Sequence, residues 1–369
     1  MKTSSIKKHI ALGLTLAGAA FTPSLHANTP TEIFIEGGSA SSSVLFDRAT
    51  NFYNGGTLTS ATYNSGSTVA QFVGNVTNAA LLSLNPITID INIANGAVAG
   101  LDALLTQTAQ AGDTNLSGSK VPVLVDSATL PKSIGKDGSQ LVALQTYVVP
   151  LVFVKNTKAG YPDSGITNLT QRQAVSLETS TPLPATYYGG TSTNPVYFVG
   201  RNSQAAVRTV IDFSIYNVGS IQTYYTNGSS NLPQLDGSAD PGLSSGGLVA
   251  NTTLAITNSI GTVAVQNVKT GLTPLAYEGV PYSVSNVING SYPIWGYENY
   301  YYLDPSKVSN ANGSPTTAQL AIINKFYQSV TNASFQTSSY PVFGNNFVPT
   351  AALQVTRSHS ADGGQITPN

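Results

Sequence analysis

Three stretches of this chain share one order of apolar and polar positions: a β-rich apolar run, a loop of small residues, then a segment of helical period. The first is Ile33-Phe34-Ile35, the loop Glu36 to Ser43, and a helix from Val44 to Tyr53. The second runs Ile87 to Ile93, Ala94-Asn95-Gly96, then Ala97 to Leu105, where Val98, Leu101 and Leu105 share one face. The third is Val196 to Val199, Gly200 to Ser203, then Gln204 to Ile215 with Val207, Val210 and Ile211 as its buried stripe. Strand–loop–helix units build parallel α/β sheets, and their loops lie where open α/β sheets bind ligands. Each helix start offers unpaired N–H groups and a partial positive charge, suited to an anion. Ser/Gly loops also serve simply as helix caps, so one such loop alone does not define a site.

Val121 to Val125 leads into Asp126-Ser127-Ala128. The apolar run Leu144 to Val154, interrupted by Pro150, predicts a buried strand that carries the chain from one lobe to another. Thr223 to Thr253 is rich in Gly, Ser, Asn and Asp and is expected to be a long surface loop. Tyr292 to Tyr297 with Tyr300-Tyr301-Tyr302 predicts an aromatic strand. Its tyrosines either sit on a half-exposed strand or stack on a sugar at a cleft edge. Thr316 to Thr331 is amphipathic through Leu320, Ile323 and Phe326. No internal repeat of fixed period is present.

Composition narrows the function. Lys2, Lys7 and Lys8 precede the apolar run Ile10 to Phe21, and Ala27 offers a small residue for cleavage, so residues 1–27 read as a signal peptide. No later segment approaches the ~18 apolar residues of a membrane span. Those three lysines are among 16 Lys+Arg against 17 Asp+Glu, so the mature chain carries 13 against 17, a net charge of −4. That is a poor match for nucleic acid. The chain has no cysteine, which removes a lipidated anchor, disulfides, zinc–thiolate sites and thiol nucleophiles. Of its three histidines, His9 and His26 lie in the signal and His359 lies in a polar tail, Ser358 to Asn369, expected to be disordered. A histidine-dependent triad or multi-histidine metal site is thereby excluded, and no catalytic residue, metal or cofactor is expected. Glu36 and Asp47 are carboxylates whose separation the sequence does not fix. With only 9% charged residues, ligand contacts are expected to be mostly neutral hydrogen bonds.

Taken in order, several of these segments resemble the substrate-binding proteins of phosphate ABC transporters, within the type 2 periplasmic-binding-protein fold. The resembling elements are Gly37 to Ser43, Gly96 to Gly100, Val125 to Leu130, the run ending Val152 to Asn156, Asn168 to Gln173, Val199 to Ser203, Ile260 to Val263, and Tyr292 to Tyr297. The resemblance implies an α/β protein of two Rossmann-like lobes joined by two crossing strands, around Tyr147–Asn156 and Tyr292–Tyr297. Lobe one would comprise 28–147 and 290–369, and lobe two 148–289. It further implies a periplasmic or secreted non-enzyme that binds phosphate or another small oxyanion between the lobes and passes it to an ABC permease. The family's first hydroxyl loop falls on Ser39 and Ser41, and its Ser-Asp pair appears reversed as Asp126-Ser127. The family's arginine falls on Arg201, with Ser203 in the same loop. Departures are Ala97-Val98 in the second loop and Ala205-Ala206-Val207 where the family carries hydroxyls. From the residues alone, Arg201 reads as an anion clamp or a surface arginine, and Asp126 as a ligand acceptor or a turn cap. The alternative function is a secreted or surface interaction protein that keeps the fold with a degenerate cleft.

The signal reading predicts that the exported protein begins at Asn28. Intact-mass measurement checks this, and retention of Met1 contradicts it.

Overall fold

In a computed structural model the described residues are 31–62, 68–110, 120–157, 163–217, 219–226, 231–308, 312–358 and 362–369. The signal peptide, Asn28 and His359 lie outside them. The expected strand–loop–helix units form in order. They are β1 (Thr31–Glu36) with α1 (Ser42–Phe52), and, after the antiparallel pair β2 (Thr57–Thr62) and β3 (Val69–Asn75), β4 (Ile87–Asn92) with α2 (Ala97–Thr106). There follow β5 (Leu124–Ser127), β6 (Leu141–Asn156), α3 (Gln171–Thr179), β7 (Leu183–Pro184), and the third unit, β8 (Pro195–Val199) with α4 (Ala206–Ile215). Then come α5 (Gly246–Ala255), β9 (Ser259–Ala264), β10 (Leu272–Pro274), β11 (Trp295–Leu303), α6 (Thr317–Val330), β12 (Val348–Pro349), β13 (Val355–Arg357) and β14 (Ile366–Pro368).

The strands follow the order β2-β3-β4-β1-β5-β11-β6-β9-β8-β7, with β10 and β12 also pairing β6. The sheet is mixed rather than purely parallel: β1 pairs β4 and β5 in parallel, and β9 pairs β8 in parallel, but β11 is antiparallel to β5 and β6, and β6 is antiparallel to β9. β6 is the structural axis. Its residues 141–150 pair with β11, and residues 151–155 pair with β9, so one strand roughly 50 Å long belongs to both lobes. Pro150 sits opposite Trp295 at the passage between them. β4 shows why this half of the sheet is buried on both faces. Ile87, Ile89 and Ile91 enter the core, while Asp90 on the opposite face accepts hydrogen bonds from Gln71 (2.9 Å) and Lys120 (3.2 Å).

Three expectations need correction. The stretch Thr223–Thr253 is not a continuous loop. It holds the antiparallel pair Tyr224–Tyr225 with Gln234–Leu235, and then α5 begins at Gly246. Gly246, Gly247, Asn251, Thr252 and Thr253 are poor helix formers, so α5 depends on tertiary packing. Ser245 caps it through Leu248 N (3.2 Å), and Val249 and Thr253 pack over Gly261 of β9. A Cβ at Gly261 would lie 2.3 Å from Thr253 Oγ1, so the helix could not come this close to any other residue. The tyrosines of β11 are neither half-exposed nor at a cleft edge as a group, because Tyr300 and Tyr301 are buried in the middle of the sheet.

The polar tail is also ordered where it is described. β14 pairs β13 antiparallel, and Asp362 is buried, accepting Leu130 N at 3.1 Å while its own N–H donates to Ser133 Oγ at 2.7 Å. Gly363 lies against the Phe213 backbone of α4, so the hairpin touches both lobes. Beneath it, the Arg357 guanidinium covers the buried Trp295 ring at 4.3 Å. Composition misled here because the polar atoms of the tail find partners inside the fold. Truncation after Arg357 is therefore expected to lower the melting temperature by several degrees and to shift Trp295 emission to the red. A disordered tail would give no change in either fluorescence or thermal unfolding.

Candidate functional site

The carboxyl ends of β1, β5 and β8 direct three loops toward one place between the lobes. From β1, Gly37 to Ser41 turns into α1, with Leu45 N bonded to Ser41 O at 3.1 Å. Two of the candidate hydroxyls leave this loop in different directions. Ser41 is buried and donates to Asp126 at the end of β5. Ser39 is directed at lobe two.

Arg201, only 3% exposed, follows β8. Its Nε donates to Leu243 O (3.0 Å), its Nη2 to Ser244 O (2.8 Å) and its Nη1 to Ser39 Oγ (3.1 Å). Burial lowers its pKa to about 10, which still leaves it charged at neutral pH. No carboxylate lies within ion-pairing distance of it among the described residues. A buried guanidinium held only by carbonyls and a hydroxyl lacks a counter-ion.

The same Ser39 hydroxyl accepts the first N–H of α5, Gly246 N, at 3.1 Å, and Gln266 Nε2 donates to Ser39 O at 2.7 Å. Ser43 also donates to the Gln266 side chain. Ser39 Oγ thus receives a guanidinium and a helix N-terminus together, the two donors that an oxyanion oxygen would receive. A second contact closes the lobes at α2. Val98 N donates to Gln204 O at 3.1 Å, and Gly96, at φ +88, lies so close that a Cβ there would be 2.4 Å from that carbonyl. A lobe-two carbonyl therefore uses an N–H of the α2 N-terminus.

Beneath this contact lies a set of buried acids. Asp126 Oδ1 and Glu298 Oε2 are both buried without a donor among the described residues, and their carboxyls face one another. One proton between them satisfies both oxygens. Burial and the neighbouring Asp126 push Glu298 well above the carboxylate range, and burial raises Asp126 to about 7. Glu36, at the end of β1, is raised to about 8 by burial, partly offset by the amide of Asn95 (2.8 Å). Near pH 7 Glu36 is largely protonated, Asp126 stands near its midpoint and burial favours the neutral form of Glu298, so these groups act as hydrogen-bonding parts of the core more than as charges.

The structure thus brings Ser39, Ser41, Asp126 and Arg201 into one connected region. Ser127 and Ser203 stand outside it: Ser127 is buried and accepts Thr129 N (3.1 Å) in a turn, while Ser203 is exposed with its N–H on Asp240 (2.8 Å). Sequence reasoning missed Gly246, Gln266, Gln204 and Glu298. For Gly246, the signal was Ser245 followed by Gly-Gly and an apolar Leu-Val pair, a cap inside what reads as loop. For Gln204 and Gln266 there was none, since a backbone carbonyl and a lone amide carry no spacing pattern, and Glu298 is a single carboxyl within an aromatic run. Glu36 is buried at the end of β1, and Asp47 on α1 pairs Arg48. Among the described residues there is no cluster of three or more metal-ligating side chains, and no helix is long and apolar enough to cross a membrane.

No family model matches the sequence, and no curated protein matches it. Solved structures do match the fold. A putative phosphate ABC transporter substrate-binding protein with bound phosphate from Clostridium perfringens superposes with a TM-score of 0.53 at 14% identity, over 83% of this chain and 95% of that one. An ABC-type phosphate transport receptor from Vibrio cholerae gives 0.53 at 12% identity, over 86% and 99%. The chain has the type 2 periplasmic-binding-protein fold. The sequence resemblance to phosphate ABC transporter substrate-binding proteins holds at this level. Ser39 and Arg201 meet where the two lobes that share β6 face one another.

The buried acids predict an unusual pH dependence. Unfolded carboxyls lose their protons near pH 4, whereas Glu36 and Asp126 keep theirs to about 8 and about 7, and Asp362, also buried, to about 7. At these three groups the folded state binds more protons across this window, so their contribution to stability is full below about pH 4 and is lost as pH rises toward 8. The melting temperature is expected to be higher at pH 5 than at pH 8, with a flatter profile in Asp126→Asn and Glu36→Gln. An unchanged slope in both variants contradicts the assignment.

Proposed function

We propose that the protein is an extracytoplasmic solute-binding protein, not an enzyme, that takes phosphate or another small oxyanion at Arg201 for delivery to an ABC permease. The observation that carries this reading is the buried guanidinium with no carboxylate partner among the described residues. An oxyanion would supply the missing charge, receive the α5 N-terminus, and displace or join the Ser39 hydroxyl. The name of the Clostridium perfringens neighbour, a phosphate-bound binding protein of the same fold, supports the class of ligand. Asp126 and Ser41 would act behind Ser39 by fixing the loop, and Ser127 would hold the turn after β5. Ser203 would lie at the cleft edge.

A second reading has its own observation. Ser39 with Gly246, and Val98 with Gln204, bond the lobes directly to one another. This favours a retained fold with a degenerate cleft, serving as a secreted or surface interaction protein. The two readings differ in what phosphate does.

On the first reading binding is weak. Ala205 and Val207 replace hydroxyls expected of the family. A hydrogen bond to a charged group contributes roughly 1.5–3 kcal/mol, so two lost bonds weaken affinity by about a hundred- to ten-thousand-fold. Calorimetry is expected to show weak, saturable phosphate binding that Arg201→Ala abolishes and Ala205→Ser with Val207→Thr strengthens. No phosphate or sulfate binding, with all variants folded, supports the degenerate cleft instead.

A further inference from the structure

One turn along α4 from the loop that bears Arg201 lies a separate pocket of about 400 Å³ between the lobes. Arg208, Thr209, Asp212 and Phe213, spaced to share one face of α4, form its lobe-two wall, and Val98 and Ser133 belong to the opposite wall. Its volume lies within the range of small-molecule sites.

The polar groups of this wall are incompletely used. Arg208 Nε is 3.4 Å from Asp212 Oδ2 and Nη1 is 3.4 Å from Pro241 O, both long, while Nη2 makes no hydrogen bond among the described residues. The Thr209 hydroxyl likewise has no partner among them, and that of Ser203 accepts only a long 3.4 Å bond from Gln204. Phe213, 38% exposed, is one of the few large apolar side chains left open to solvent among the described residues.

The charges nearly cancel. Asp212 faces Arg208 on one side and the buried Glu178 on the other, and Glu178 also accepts Asn217 Nδ2 at 2.8 Å. Burial and the charge of Asp212 push Glu178 well above the carboxylate range, so one proton stays with that pair. One negative charge then meets one guanidinium, and Asp240 at 3.8 Å from Arg208 adds a further carboxylate near the rim. A free anion meets two carboxylates here, and a free cation meets Arg208. What suits the pocket is a neutral molecule with many hydroxyls and an apolar C–H face for Phe213.

We propose that this pocket binds a neutral polyhydroxylated ligand of monosaccharide size. Arg208, Thr209 and Ser203 hydrogen-bond its hydroxyls, Phe213 covers its C–H face, and Ser133 meets it from lobe one. The inference rests on the solute-binding reading, but not on an oxyanion at Arg201.

The test is calorimetry and native mass spectrometry of the full mature chain with D-glucose, D-ribose and myo-inositol, with glycine and phosphate as comparison ligands. The expected result is saturable binding of at least one of the three neutral probes, weakened about tenfold or more in Arg208→Ala and in Phe213→Ala. Phe213 is solvent-exposed, so its variant remains informative should Arg208→Ala lose stability. Absence of saturable binding of all three probes at millimolar concentration overturns the proposal. So does sugar binding unchanged in both variants, or glycine binding that Arg208→Ala removes. Phosphate titration of the unsubstituted protein reports on the Arg201 site separately, so either reading can fail alone.

Discussion

A guanidinium buried between two lobes has to be satisfied from both sides, and Arg201 organises the contact between them around that need. Its carbonyl partners, Leu243 and Ser244, lead directly into the Ser245 cap of α5, so holding the arginine also fixes where that helix starts. The helix start then meets the same Ser39 oxygen as the guanidinium. Ser39 is in turn set by a loop whose next hydroxyl, Ser41, is anchored to Asp126 and, through a shared proton, to Glu298. From the surface of lobe two to the centre of lobe one, each polar group is positioned by the one before it.

The sequence made the repeated architecture legible because periodicity carries it. Alternation and helical spacing located β1, β4 and β8 with their helices, and the long run through Pro150 located β6. The parts that were illegible share a physical cause. α5 is assembled from weak helix formers and exists because Gly261 lets it pack closely on β9. The tail is polar, yet Asp362 is buried with backbone and hydroxyl partners, which composition cannot foresee. Side chains of marked chemistry such as Arg201 and Asp126 could be named from the family resemblance, while position alone left each with a second reading as a surface arginine or a turn cap. The groups that bond the lobes together, the Gln204 carbonyl and the Gly246 N–H, belong to the backbone and have no identity in sequence.

The scarcity of charge has a structural counterpart. Where charged residues are buried, several are neutralised by a proton instead of by an opposite charge: Glu36, Glu298 and Glu178 all hold theirs. A carboxyl kept protonated can donate as well as accept, so it works in the interior much as an amide does. The protein thus fills many of its interior polar positions with neutral hydrogen-bonding groups of the same kind that cover its surface, and Arg201 and Arg357 stand out against them as full charges.

The position of β11 bears on how the chain reaches this state. β11 lies between β5 and β6 at the centre of the sheet, yet its residues come after position 294, and the last hairpin closes over Trp295 only after that. A chain delivered from its N-terminus presents β1 to β6 long before their central partner arrives, leaving the facing edges of β5 and β6 without a neighbour between them. The first lobe cannot complete its core until most of the polypeptide has emerged. The order of strands therefore acts as a clock, holding the emerging chain incomplete until its final quarter is delivered.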